Sequence, residues 1–377
     1  MNRRDFIKKS TLLSLMTANP KMMSSTLEDY VNSVDIEMML NNKINTGNSP
    51  KSIVFSPDMK KAHINNLKDC STWVFDAKNH SLEQTINYEK TLIKLYDKKE
   101  QYNSFEEKPV ESCFSHEGQR LWTSLHNANG IIVQDTKGEL LSLKKQTGTK
   151  KATLKNLLAG QKKIINLPFI KTGKTPKIIK LTPDGQRICV ANWDSGTVSF
   201  IDSETGKNYG SINTGYAPRG IAFTNNSKIG FVANFFSHTI SVFEVYTMKK
   251  IFDIKNVGKN PRHILIDKKG ESMYVGFHGD GYIRQFDVEK KTIEDEVKIG
   301  GQIRTITATP NFKYLFADSY SRNEVVLINT KSMAVEQRIK SLYKPVGAAY
   351  NYKTKQLWVT NQGNATVSIF DVKEKQL

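Results

Sequence analysis

The sequence predicts an all-β fold, a seven-bladed β-propeller closed by an N-terminal strand that completes the last blade. Three observations predict it. First, a phrase repeats: Gly-x-x-Pro176, an apolar run, Thr-Pro-Asp-Gly185, Cys-Val-Ala-Asn192 and Thr-Val-Ser-Phe-Ile-Asp202 are followed by Gly215-Tyr-Ala-Pro218, Phe-Val-Ala-Asn234 and Thr-Ile-Ser-Val-Phe-Glu244. Second, the residue ending that phrase falls at Asp76, Asp135, Asp202, Glu244, Asp287, Asn329 and Asp371, with gaps of 59, 67, 42, 43, 42 and 42 residues. A repeat near 42 residues made of short strands is the signature of propeller blades. Third, Ile36–Asn45 precedes Gly47-Asn-Ser-Pro50 as an outer strand precedes Gly215-Tyr-Ala-Pro218, whereas little chain follows Asp371. The first strand is therefore expected to zip onto the last blade, removing open sheet edges.

Within a blade the elements read in order. In the third, inner strand A is Lys177–Leu181, and Pro183-Asp184-Gly185 supplies turn chemistry. Strand B is Arg187–Ala191, strand C is Thr197–Ile201 and outer strand D is Lys207–Asn213. Strands A and B carry near-continuous apolar residues because both of their faces pack against neighbouring blades. Residues 1–34 read as a signal-like basic segment and linker, and 35–377 as the propeller, with insertions near 89–108 and 149–168. The first insertion reads as a short helix between strands D and A, on the channel face. The second falls on the same face if Gly148 is in register with Gly215, and on the opposite face if Lys163–Thr172 is the outer strand.

The phrases Cys-Val-Ala-Asn192, Phe-Val-Ala-Asn234 and Trp-Val-Thr-Asn361, each ahead of Thr-Val-Ser or Thr-Ile-Ser, resemble the YVTN-repeat β-propeller family over about residues 36–377. The resemblance implies seven blades and, commonly, bacterial export. It implies no single activity, because members share a fold rather than a chemistry. The opening Asn2-Arg3-Arg4-Asp5-Phe6-Ile7-Lys8-Lys9 resembles a twin-arginine export signal, although the apolar stretch after it is short. Export to the periplasm or cell surface is the expectation, with a basic tail on a cytoplasmic protein as the alternative.

Composition sets further bounds. The 377 residues carry a net charge of +18 and a mean hydropathy of −0.47. Such a charge attracts polyanions at low salt. No apolar run is long enough for a spanning helix. Cys70, Cys113 and Cys189 fall at strand-like positions in different blades and read as buried free thiols. The sequence contains no P-loop, dinucleotide fingerprint or Gly-x-Ser-x-Gly. The histidines show no metal-ligand spacing, and no cofactor is expected.

The candidate site comes from one position per blade. The residue after the Gly-x-x-Pro proline is Lys51, Val110, Lys177, Arg219, Arg262, Arg304 and Val346, Ile303 standing in for the proline in the sixth blade. Each begins strand A and should face the channel mouth. Crowded like charges are costly unless an anion or carboxylates answer them, and arginine presents a fork suited to carboxylate or phosphate. The B-to-C loops on the same face add Trp193, Phe235, His238, His278 and Tyr320, which suit an anionic ligand with a flat or apolar body. The alternative is a solvated mouth whose aromatics fill gaps between blades.

The expected function is that of an exported, non-catalytic binding or scaffold propeller. It would be monomeric and hold an anionic small molecule or protein segment at its channel face. A propeller hydrolase or lactonase using histidine and carboxylate, and a nucleic-acid binder driven by net charge, are the alternatives.

Overall fold

The computed structural model describes residues 36–94, 100–340 and 342–374; the signal-like segment 1–34 lies outside them. The chain divides into Met1–Met39 with Val372–Leu377, and Leu40–Asp371. In the first unit the described residues are the ends of two strands. The second unit is a propeller of seven four-stranded antiparallel blades, counted among the described residues.

The inner strands are Pro50–Phe55, Pro109–Ser115, Pro176–Leu181, Pro218–Phe223, Pro261–Ile266, Ile303–Ala308 and Pro345–Asn351. Each packs against the next and the last against the first, so they form a closed ring. The third blade has strands Pro176–Leu181, Arg187–Asn192, Thr197–Asp202 and Asn208–Asn213, within a residue of the expected bounds at each end. The closing strand falls where expected. The strand Ile36–Asn45 borders Thr366–Glu374 at the edge of the last blade. Asn41 Nδ2 donates to Asp371 at 2.9 Å, and the Thr46 amide donates to the Ala365 carbonyl at 2.9 Å.

The repeated phrase is architectural. Asn192 Nδ2 donates to Thr197 Oγ1 and Ser199 Oγ at 3.0 and 2.9 Å. Asn234 repeats this with Thr239 and Ser241 at 3.0 and 2.8 Å, and Asn361 with Thr366 and Ser368 at 3.1 and 2.9 Å. The fully buried asparagine closing strand B thus staples the loop into strand C, a contact that is costly to lose. The glycine of Gly-x-x-Pro makes room for it: a Cβ on Gly173 would lie 2.8 Å from the Asn192 side chain. The aspartates ending strand C form turns, as Asp76 does by accepting the Lys78 and Asn79 amides at 2.8 and 2.9 Å.

The first insertion differs from expectation, and the second follows the alternative in which the segment around Lys163–Thr172 is the outer strand. Among the described residues of 89–108, Leu92–Lys94 pairs antiparallel with Gln101–Asn103, where a short helix was expected. Buried Glu107 anchors its base, accepting from the Thr91 amide at 3.0 Å and from Lys150 Nζ at 2.7 Å. In the second insertion, Gln161–Lys171 is the outer strand of the second blade, and Gly148–Asn156 is an additional strand. That strand pairs with Leu82–Tyr88 of the first blade on one side and with Gln161–Lys171 on the other. It fuses the two blades into one nine-stranded sheet. The insertion therefore belongs to the C-to-D connection and lies away from the channel mouth.

Cys70, Cys113 and Cys189 are free and buried. Burial pushes the Cys113 thiol up to about 12, so it behaves as core rather than as a nucleophile.

Candidate anion site at the channel mouth

A β-bulge builds the mouth. Every inner strand shifts register against strand B directly after its proline, or after Ile303 in the sixth blade. Lys51, Val110, Lys177, Arg219, Arg262, Arg304 and Val346 each occupy that irregularity. A bulge re-aims the side chain of the extra residue, and here it does so once per blade.

The five cations come together. Arg219 and Arg262 both act electrostatically on Lys51 and on Lys177, and Arg304 acts on Arg219 and Arg262. Lys51, Arg219 and Arg262 are buried. Arg262 Nε donates to the Arg304 carbonyl at 2.9 Å, linking adjacent blades. Burial, and then Arg219, Lys51 and Arg262, pull Lys177 down to about 6. Burial pulls Lys51 down to about 8, against the opposing effect of Glu111.

Asp194 favours the charged form of Lys177, and two further carboxylates answer the ring. Glu111 Oε1 lies 2.8 Å from Lys51 Nζ across the boundary between the first two blades. Asp318, wholly buried on strand B of the sixth blade, accepts from the Arg304 and Thr305 amides at 3.0 and 2.9 Å. Its other oxygen, Arg304 Nε and His278 Nδ1 are buried without hydrogen-bond partners among the described residues. Five basic side chains outnumber the acids, and Lys51, Arg219, Arg262 and Arg304 keep an excess of positive charge in a largely buried ring.

Aromatic side chains collar that charge. Lys177 Nζ and the Arg219 guanidinium lie 5.6 and 5.4 Å from the centre of the Trp193 ring, and Arg304 lies 4.2 Å from that of Tyr320. Trp193 sits 5.2 Å from Phe235, and Phe235 sits 5.2 Å from His278. A pocket of about 500 Å³ on this face is lined by Phe235, Phe236, Asn260, His278, Asp280 and neighbouring residues. An axial cavity of about 250 Å³ includes Glu111 and His263 in its lining.

Among the described residues, His238 makes none of the ring or cation contacts of this cluster and meets it through Asn260. It is exposed, adopts a φ of 56°, and accepts the Asn260 amide at 3.1 Å. His278 does belong, and burial with Arg304, Arg262 and Arg219 lowers it to about 3, so it is neutral. His126, at the end of strand B in the second blade, joins the site unforeseen by contacting Lys177 through Nε2. Among the described residues no group of three or more His, Cys, Asp or Glu side chains is placed to hold a metal. No described helix is long and apolar enough to cross a membrane.

Ring closure, one bulged cation on each of five blades and an aromatic collar define a seven-bladed propeller with a cationic mouth. The chain belongs to the YNCE-like beta-propeller family, whose model matches residues 162–374. Lys177, Arg219, Arg262 and Arg304 lie inside that stretch; Lys51 lies before it. The chain is also 25% identical over 287 residues to Antigen Lp49 of Leptospira interrogans, covering 74% of this chain. It spans about half of that relative's length, 55%.

Proposed function

We propose that this propeller is an exported, monomeric binding module that holds an anionic small molecule, or an acidic protein segment, at its mouth without turning it over. One observation carries the reading: five basic side chains are aimed at one another by a repeated bulge, in a largely buried ring that Glu111, Asp318 and Asp194 answer in part. A bound anion lowers the energy of that arrangement, and the Trp193, Phe235 and Tyr320 rings receive an apolar body. Export rests on the Arg3-Arg4 motif.

A hydrolase would need a histidine activated by a carboxylate at the mouth. The pair His116–Glu204, at 2.7 Å, is located instead at the A-to-B turn of the second blade, on the far face. His126 and His278 face cations and are held neutral.

The experiment is a thermal-shift titration with benzoate, inorganic phosphate, neutral benzamide and a DNA oligonucleotide. Benzoate and phosphate are expected to raise the melting temperature, and benzamide to leave it unchanged. Stabilisation by DNA alone, lost steeply with salt, would replace this reading with polyanion binding.

A further inference from the structure

Lys177 is set apart from the other cations of the ring. Its Nζ contacts His126 Nε2, and His126 Nδ1 contacts Asn127 Oδ1. An amide oxygen accepts only, so His126 carries its proton on Nδ1 and presents Nε2 as an acceptor toward the lysine. Asn127 is itself held, its Nδ2 donating to the Ser104 carbonyl of the first insertion at 3.3 Å, and the His126 amide donates to the Lys108 carbonyl at 2.9 Å. The insertion thus braces the loop that positions His126. Trp193 covers another side of the amine.

The groups facing this amine are His126 from the second blade, Arg219, Lys51 and Arg262 from the ring, and Asp194 from its own blade, with Lys108 facing His126. The three ring cations oppose its protonation, Asp194 favours it, and Thr175 Oγ1 holds Asp194 by a hydrogen bond. A lysine kept neutral beside other cations is a nucleophile, because its lone pair is free.

We propose that Lys177 captures the carbonyl of a small 2-oxo acid as a reversible imine while the ring arginines hold its carboxylate. The inference rests on the anion-binding reading and names its ligand class. In the forward step the Nζ lone pair forms a C–N bond to the carbonyl carbon, and the carbonyl π pair moves to oxygen. One amine proton passes through His126 Nε2 to that oxygen, giving a carbinolamine. The carbinolamine then loses its hydroxyl with the second nitrogen proton as water, leaving C=N. No oxidant or reductant enters, and hydrolysis runs the same steps backward. His126 acts here as a proton relay, and Lys177 is the only group bonded to the ligand.

The test uses the full chain with pyruvate and sodium cyanoborohydride at pH 7, followed by peptide mass spectrometry. A carboxyethyl group is expected on Lys177 at a level about tenfold or more above any other lysine, since an ordinary lysine is almost wholly protonated at that pH. Labelling is expected to fall away near pH 5, and to vanish in Lys177→Arg, which keeps the cation but cannot form the imine. His126→Ala is expected to slow labelling without abolishing it. Binding of lactate, which lacks the carbonyl, is measured in parallel by calorimetry. Lactate binding with label spread evenly over the lysines overturns the imine and leaves the anion site standing. Absence of both overturns both.

Discussion

Asp318 Oδ1 accepts the Arg304 amide at 3.0 Å, so the carboxylate of one strand fastens the bulge that carries a cation on the next. The Thr305 amide shares the same oxygen at 2.9 Å. Burial raises Asp318 to about 6, against the hydrogen bonds and against Arg262, which pull the other way.

Asp318→Asn keeps an acceptor for both amides and removes a charge. With one carboxylate fewer in the ring, benzoate is expected to bind more tightly, by about 1 kcal/mol or roughly fivefold, measured by calorimetry at pH 7.5. The raised group binds a proton in the folded state that the unfolded state lacks. Its contribution is thus present below about pH 4 and lost as pH rises through about 6. Urea unfolding of the variant is expected to lack that loss.

The lysines act in the opposite sense. Lys177 and Lys51 are lowered to about 6 and about 8, whereas the unfolded chain keeps both near the ordinary value of 10.5. The unfolded state binds more protons between those limits, so stability is expected to rise with pH from about 6 toward 10. Phosphate restores a partner for each charge and is expected to flatten the rise. Melting temperatures across pH 6 to 9, with and without phosphate, measure this; a profile indifferent to phosphate contradicts a shared ring field.

Asn234→Ala removes both bonds of one staple, to half-buried Thr239 and buried Ser241, and empties a fully buried side-chain position. A loss of about 2–3 kcal/mol in urea unfolding is expected, with benzoate affinity within about twofold of the parent. A large change in affinity would mean that the repeated phrase serves the site as well as the frame.

Most of the fold was legible because each blade restates the same packing problem. The proline, the turn and the stapling asparagine recur at fixed offsets, and the position after the proline located the cations. What failed to repeat was hidden. Asp318 stands where Ala191 and Ala233 stand in their blades, and an acid at that position in Phe-Ala-Asp-Ser319 was the available signal. Glu111 follows Val110, where the ring itself has no charge, so its service to Lys51 of the preceding blade shows only in three dimensions. The strand Gly148–Asn156 has no counterpart among the described strands of the other blades, and only Ala152 and Leu154 in its lysine-rich run mark the buried face. His238 is exposed and turned to the Asn260 amide, and spacing locates a loop without giving the direction of a side chain within it.

The most direct measurement is a calorimetric titration of benzoate into the parent and into Arg219→Gln/Arg262→Gln/Arg304→Gln. Removing buried like charges is expected to leave the unliganded variant folded, and at least as stable as the parent, while benzoate binding falls below detection. A folded variant that binds benzoate as the parent does would contradict the ring as an anion site.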